Sequence, residues 1–191
     1  SVYCVDLVSG EILFHFSELS PVTHIAVRFP NIAVTTKNLV SVYCVGNTIT
    51  KLSVLPANNS KQILLVGGTN HLVVLDDSGL RVIDYMSKTK VFEDVDIKGV
   101  IPREEVGEFL VVKPTRVEHL HCSFCRGYRI INTYQLSIRV DNVLSDCLLT
   151  STDNEYVVLP RKGHITEEYR RRKVASGPIK CGNEKQVFVS D

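Results

Sequence analysis

No apolar run in these 191 residues approaches the roughly 20 that a membrane-crossing helix needs; Ile63-Leu64-Leu65-Val66 and Phe109-Leu110-Val111-Val112 are among the longest. Membrane insertion is therefore not expected. An excess of one charge is missing too: Lys+Arg (22) nearly cancels Asp+Glu (21), leaving a net charge of +1. Such a balance gives no general attraction to phosphates or anionic lipid. Long Pro, Gln or Ser tracts are absent while Val, Ile and Leu recur throughout, which excludes disorder. Six unevenly spaced cysteines (4, 44, 122, 125, 147, 181) are too sparse for a small disulfide scaffold, so the chain reads as reduced and intracellular. The Asn58-Asn59-Ser60 sequon lies in a polar turn and shifts that reading little. The chain begins Ser1-Val2-Tyr3-Cys4-Val5, already strand-like and without Met, so it reads as cut from a longer polypeptide, and a missing targeting signal says nothing.

The usual linear signatures of catalysis are absent as well. Gly67-Gly68-Thr69-Asn70 lacks the Lys-Ser/Thr end of a phosphate-binding loop and falls between two strands, so it reads as a turn. Neither a Gly-x-Ser-x-Gly elbow nor a His-Glu-x-x-His pair occurs. Asp76-Asp77 and Glu104-Glu105 are adjacent carboxylates, and neighbours along a strand point to opposite faces, which argues against a cooperative acid/base pair.

What is present is a soluble globular composition, 44% apolar and 23% charged, long enough to build a core as one domain or part of a larger one. Its strongest signal is self-similarity. Val2-Tyr3-Cys4-Val5-Asp6 returns forty residues later as Val42-Tyr43-Cys44-Val45-Gly46, and Leu80-Arg81-Val82-Ile83-Asp84 repeats the pattern after a further thirty-eight. Val5-Asp6-Leu7-Val8-Ser9-Gly10-Glu11-Ile12 aligns with Ile83-Asp84-Tyr85-Met86-Ser87-Lys88-Thr89-Lys90, each reading as strand, polar turn, strand. Short β-branched or aliphatic runs are bounded by Gly, Asp and Asn, and none is long enough for a helix. One period therefore holds four strands, at 25–28, 31–36, 39–45 and 49–55. The next has four at 62–66, 71–75, 79–85 and 88–93. A less regular third covers 99–101, 108–113, 117–122 with 127–132, and 134–140; a last module covers 143–150, 155–160 and 163–169.

Four strands in about 40 residues is the size of one propeller blade. Through Ser20-Pro21-Val22-Thr23-His24-Ile25-Ala26-Val27 and Leu39-Val40-Ser41-Val42-Tyr43-Cys44-Val45, the chain resembles the WD40-like β-propeller family. Its first fourteen residues are also similar to the repeat of quinoprotein propellers. The expected fold is all-β: a partial or divergent β-propeller over residues 1–170, a fragment of a larger ring, with 171–191 as a C-terminal loop and strand segment able to close it. The alternative is a β-sandwich, which uses similar strands and turns. With no tryptophan in the chain, the Trp-Asp pair that names the WD family is missing from every repeat. The stacked tryptophan and vicinal disulfide that the quinoprotein resemblance implies are missing too, so no quinone cofactor, and no cofactor of any kind, is expected.

Two clusters stand out. His119, His121, Cys122 and Cys125 place two imidazoles and two thiols within seven residues, but a second half of a zinc site is not evident. As a strand, this segment would put His119 and His121 on one face and Cys122 on the other, so the expectation is a β-hairpin without metal. The second cluster is Arg170, Arg171, Arg172 and Lys173, which raises the local positive potential as a partner or nucleic-acid site or a nuclear import signal would. Ser176 behind it resembles a basic-directed kinase site.

The reading that follows is a non-catalytic protein–protein interaction scaffold: a divergent propeller subunit of a larger, nuclear assembly, without a catalytic residue. Phe29, Pro30, Tyr85, Met86 and Phe124 lie near turns and could anchor a contact. The alternative is a nucleic-acid-associated module that uses the basic cluster.

Overall fold

The computed structural model describes residues 1–123, 127–144, 148–151, 155–160, 163, 165, 172–173, 179–182 and 187–189, the last three stretches as backbone only. It is all-β, in antiparallel sheets whose strands pair in chain order. The first sheet has two strands, β1 (Val2–Val5) and β2 (Ile12–Phe16). Four sheets of four strands follow. They are β3 (His24–Arg28), β4 (Asn31–Thr35), β5 (Leu39–Val45) and β6 (Ile49–Pro56); β7 (Gln62–Leu65), β8 (His71–Asp76), β9 (Gly79–Asp84) and β10 (Thr89–Asp94); β11 (Gly99–Pro102), β12 (Glu108–Val112), β13 (Arg116–Ser123) and β14 (Gly127–Gln135); and β15 (Asn142–Leu144), β16 (Leu148–Thr150), β17 (Glu155–Val158) and β18 (Arg172–Lys173). A second two-stranded sheet, β19 (Ile179–Gly182) with β20 (Val187–Val189), comes last.

From the first full blade onward, the first strand of each sheet sits beside the first strand of the next: β3 by β7, β7 by β11, β11 by β15, β15 by β19. The sheets are thus blades set around a common inner side, each packed face to face on its neighbours. The side-chain period of two explains the sequence pattern. In β8, Leu72 and Val74 enter the core shared with the first full blade, while Val73 and Leu75 enter the core shared with the third. In β12, Phe109 and Val111 face the second blade, and Leu110 and Val112 face the fourth. The second strands β4, β8 and β12 carry unbroken apolar runs because both their faces are covered. A β-sandwich has one such interface between two sheets; three successive interfaces join four sheets here.

The turns repeat with the strands. Asp6 accepts the amides of Val8 (2.7 Å) and Ser9 (2.9 Å), and Asp84 accepts those of Met86 (2.9 Å) and Ser87 (3.0 Å). Gly10 and Lys88, aligned in the repeat, both take left-handed backbone (φ 74° and 60°). The β1–β2 hairpin is therefore the counterpart of β9–β10, the outer half of a blade.

Two segments differ from the sequence expectation. The stretch 134–140 is not a strand of its own: β14 ends at Gln135, and the connector beyond it buries Ile138 and Val140 while its amides bond to the carbonyls of Thr115 (from Leu136, 2.9 Å) and Pro114 (from Val140, 2.7 Å). The stretch 143–150 divides between β15 and β16.

Candidate functional site

The turns that join first to second and third to fourth strands lie along one edge of the blades. There β3 turns into β4 at Phe29-Pro30, β7 into β8 at 66–70, and β9 into β10 at Tyr85, and together with the end of β13 they line a cleft of about 650 Å³. Phe29 is 83% exposed and Met86 also reaches solvent; Tyr85 is buried. Phe124 lies outside the described residues. The sequence-named anchors therefore split between rim and floor.

The cleft is framed by bonds between blades. Arg28 donates to the carbonyls of Arg103 (3.3 Å) and Glu104 (3.4 Å) in the third blade. It lies across Gly67, where a β-carbon would overlap the guanidinium, so Gly67 is the seat of Arg28, while Gly68 (φ 69°) leaves room for Val106. Asn31 donates to the Tyr85 hydroxyl (3.1 Å), and the Tyr85 amide donates to the Asn70 carbonyl (2.9 Å). Thr69 caps its own turn, donating to the Val66 carbonyl (3.0 Å) and accepting the His71 amide (3.1 Å).

At the cleft's inner wall, His71 Nδ1 is 2.9 Å from the Tyr128 hydroxyl and 3.5 Å from Cys122 Sγ. A cysteine beside a histidine invites a nucleophilic reading, but the protonation states oppose it. Burial pushes the Cys122 thiol up, and burial pulls His71 below its ordinary value despite the opposing charge of Asp84. A thiolate–imidazolium pair needs both shifts reversed. Burial raises Tyr128 as well, so three neutral groups meet here and join second blade to third.

That neutrality has a measurable consequence. An unfolded chain protonates His71 near pH 6.5, whereas the native state resists it, so the unfolded state gains protons first and stability falls on acidification below about pH 6.5. In His71→Gln, the drop in urea midpoint between about pH 7.5 and 5.5 is expected to be smaller than in the wild type. An identical drop in both would contradict the assignment.

The two clusters named from sequence are placed as follows. His119 lies on one face of β13, its Nε2 2.6 Å from Glu108, while Cys122 points the other way to His71. Cys125 is outside the described residues, and among the described residues no three His, Cys, Asp or Glu converge to hold a metal ion. Arg172 and Lys173 form β18, the outermost strand of its sheet, opposite Tyr156 and Glu155; Arg170 and Arg171 are outside the described residues, as is Ser176. The His71–Cys122 contact has no sequence signal, since it joins residues 51 positions apart in different blades.

No family model matches the sequence, and no curated protein matches it. Solved structures do. Sqt1 of Saccharomyces cerevisiae superposes with a TM-score of 0.52 at 12% identity, over 71% of this chain and 44% of that one. Hsv2 of Kluyveromyces lactis gives 0.51 at 12% identity, over 84% and 53%. Hsv2 of Kluyveromyces marxianus gives 0.50 at 13% identity, over 85% and 54%. These neighbours are β-propellers, and so is this chain, which spans about half of their length. At such identity the likeness concerns the fold alone.

Proposed function

We propose that the chain is a non-catalytic protein-interaction scaffold, a divergent WD40-like propeller segment within a multi-subunit nuclear assembly, and that a partner protein docks in the cleft around Phe29. The observation that carries this reading is a large aromatic side chain, Phe29, held in solvent on the rim of a cleft whose floor is fixed by hydrogen bonds from three blades. A rigid floor with an exposed aromatic anchor suits protein docking, because little ordering entropy remains to be lost. The neutral Cys122–His71 pair supports the non-catalytic part.

A second reading, nucleic-acid association through Arg170, Arg171, Arg172 and Lys173, draws support from β18, which places two of these cations on an outer strand. Affinity capture from native extract, with and without nuclease and at two salt concentrations, separates the two. A protein set that survives nuclease and moderate salt supports the scaffold; one lost to either supports the basic cluster. Phe29→Asp is expected to reduce the retained set by about tenfold or more without lowering the thermal midpoint. An unchanged set would remove the cleft from the account.

A further inference from the structure

At the opposite edge of the blades lies a second cleft of about 650 Å³, built from the β12–β13 turn and the connectors on either side of the third blade. Lys98, Lys113, Arg116 and Arg139 line it against one acid, Asp96. The four cations fall into two kinds. Lys113 is held by Asp94 (2.8 Å) and faces Glu118 (3.7 Å), and Arg116 is held by Glu118 (2.7 Å). Lys98 and Arg139 are exposed and, among the described residues, meet no carboxylate at ion-pair distance.

The walls are tied to the same hairpin. The Lys98 amide donates to the Val112 carbonyl (2.8 Å), and the connector carrying Arg139 is pinned on both sides by its bonds to Thr115 and Pro114. Two unpaired cations thus stand on fixed backbone around a recess that also holds the exposed Thr115 hydroxyl. Such an arrangement suits a small dianion with several acceptor oxygens, since charge-assisted hydrogen bonds are strongest where donors are already in place.

We infer that this cleft is a phosphate-recognition site for a phosphorylated segment of a partner protein. The charge around it selects a peptide over an extended polyanion. Asp94 and Glu118 hold Lys113 and Arg116, and Asp96 lines the recess itself, so the cleft keeps a small positive excess, whereas a membrane or nucleic-acid strand needs a broad basic surface. One phosphoryl group meets Lys98 and Arg139, while the otherwise neutral or basic remainder of the segment faces Asp96. The site is independent of the Phe29 cleft and stands or falls separately.

The test uses the whole chain, immobilised, and two degenerate peptide pools that differ only by phosphate on a central serine. Retention of the phosphorylated pool about tenfold above the other, reversed by inorganic phosphate, is expected. Lys98→Ala with Arg139→Ala should abolish that difference while the thermal midpoint stays put, because both side chains are exposed; Phe29→Asp should leave it intact. Equal retention of both pools overturns the proposal, as does undiminished retention by the double variant. Stronger capture of anionic phosphatidylserine vesicles than of the phosphorylated pool would also overturn it, in favour of a lipid surface.

Discussion

Phe109→Ala is expected to lower unfolding stability by about 3–5 kcal/mol, the usual cost of emptying an aromatic site inside a closed core. Phe109 is fully buried in the interface between the second and third blades. It packs with Val73, Leu75, Leu80 and Val82 of the second, and its ring meets Tyr128 edge-on with centroids 5.2 Å apart. Blades closed on both sides cannot collapse into the cavity without shifting a whole sheet, so little of the loss is recovered. Val27→Ala on β3 is the control: Val27 is 65% exposed and should cost below about 1 kcal/mol. Chemical denaturation of the two variants measures the difference, and equal losses would mean that the blade faces are wrongly assigned.

Asp76→Ala is expected to cost a similar amount, about 3–5 kcal/mol, for an electrostatic reason. Asp76 is 2% exposed at the β8–β9 turn and accepts four hydrogen bonds: from the Ser78 amide (2.9 Å) and hydroxyl (2.5 Å), the Asn58 amide (3.2 Å) and Arg81 (2.5 Å). The Asn58 bond makes this carboxylate a clamp between the connector from the first full blade and the turn of the second. Its removal leaves a partly buried guanidinium and two amides without their acceptor. Asp76→Asn keeps the shape but turns an amide toward those donors, and should cost less, about 1–3 kcal/mol. Burial alone would raise this carboxyl, but the bonds from Ser78, Asn58 and Arg81 outweigh it and hold it below its ordinary value. Its contribution is present above the unfolded pKa of 3.8 and is lost as pH falls through the lower native value, so the Asn variant should lose less midpoint on acidification below about pH 4. A wild-type acid slope in Asp76→Asn would contradict this.

The second full blade was legible in the sequence because β8 is covered on both faces, and its unbroken apolar run Leu72–Leu75 before Asp76 leaves few other readings. The aligned Asp6 and Asp84 turns were legible for a stronger reason, since a side chain that bonds its own backbone carries its geometry wherever the motif occurs. The third blade misled because Tyr134, Leu136, Ile138 and Val140 alternate like a strand, yet Ile138 and Val140 are apolar to plug a core beneath a connector. Nothing local distinguishes burial by a sheet from burial by a loop. The cleft was half legible: turn position pointed to Phe29, Pro30 and Tyr85, while Arg28 over Gly67 and His71 against Cys122 join residues from different blades that only packing brings together.

If a partner protein covers the Phe29 cleft, hydrogen exchange on the chain alone and within its captured assembly should differ there. Exchange should slow in peptides spanning 28–31, 66–71 and 84–87. Protection confined to peptides containing Arg170, Arg171, Arg172 and Lys173, with the cleft unchanged, would contradict it.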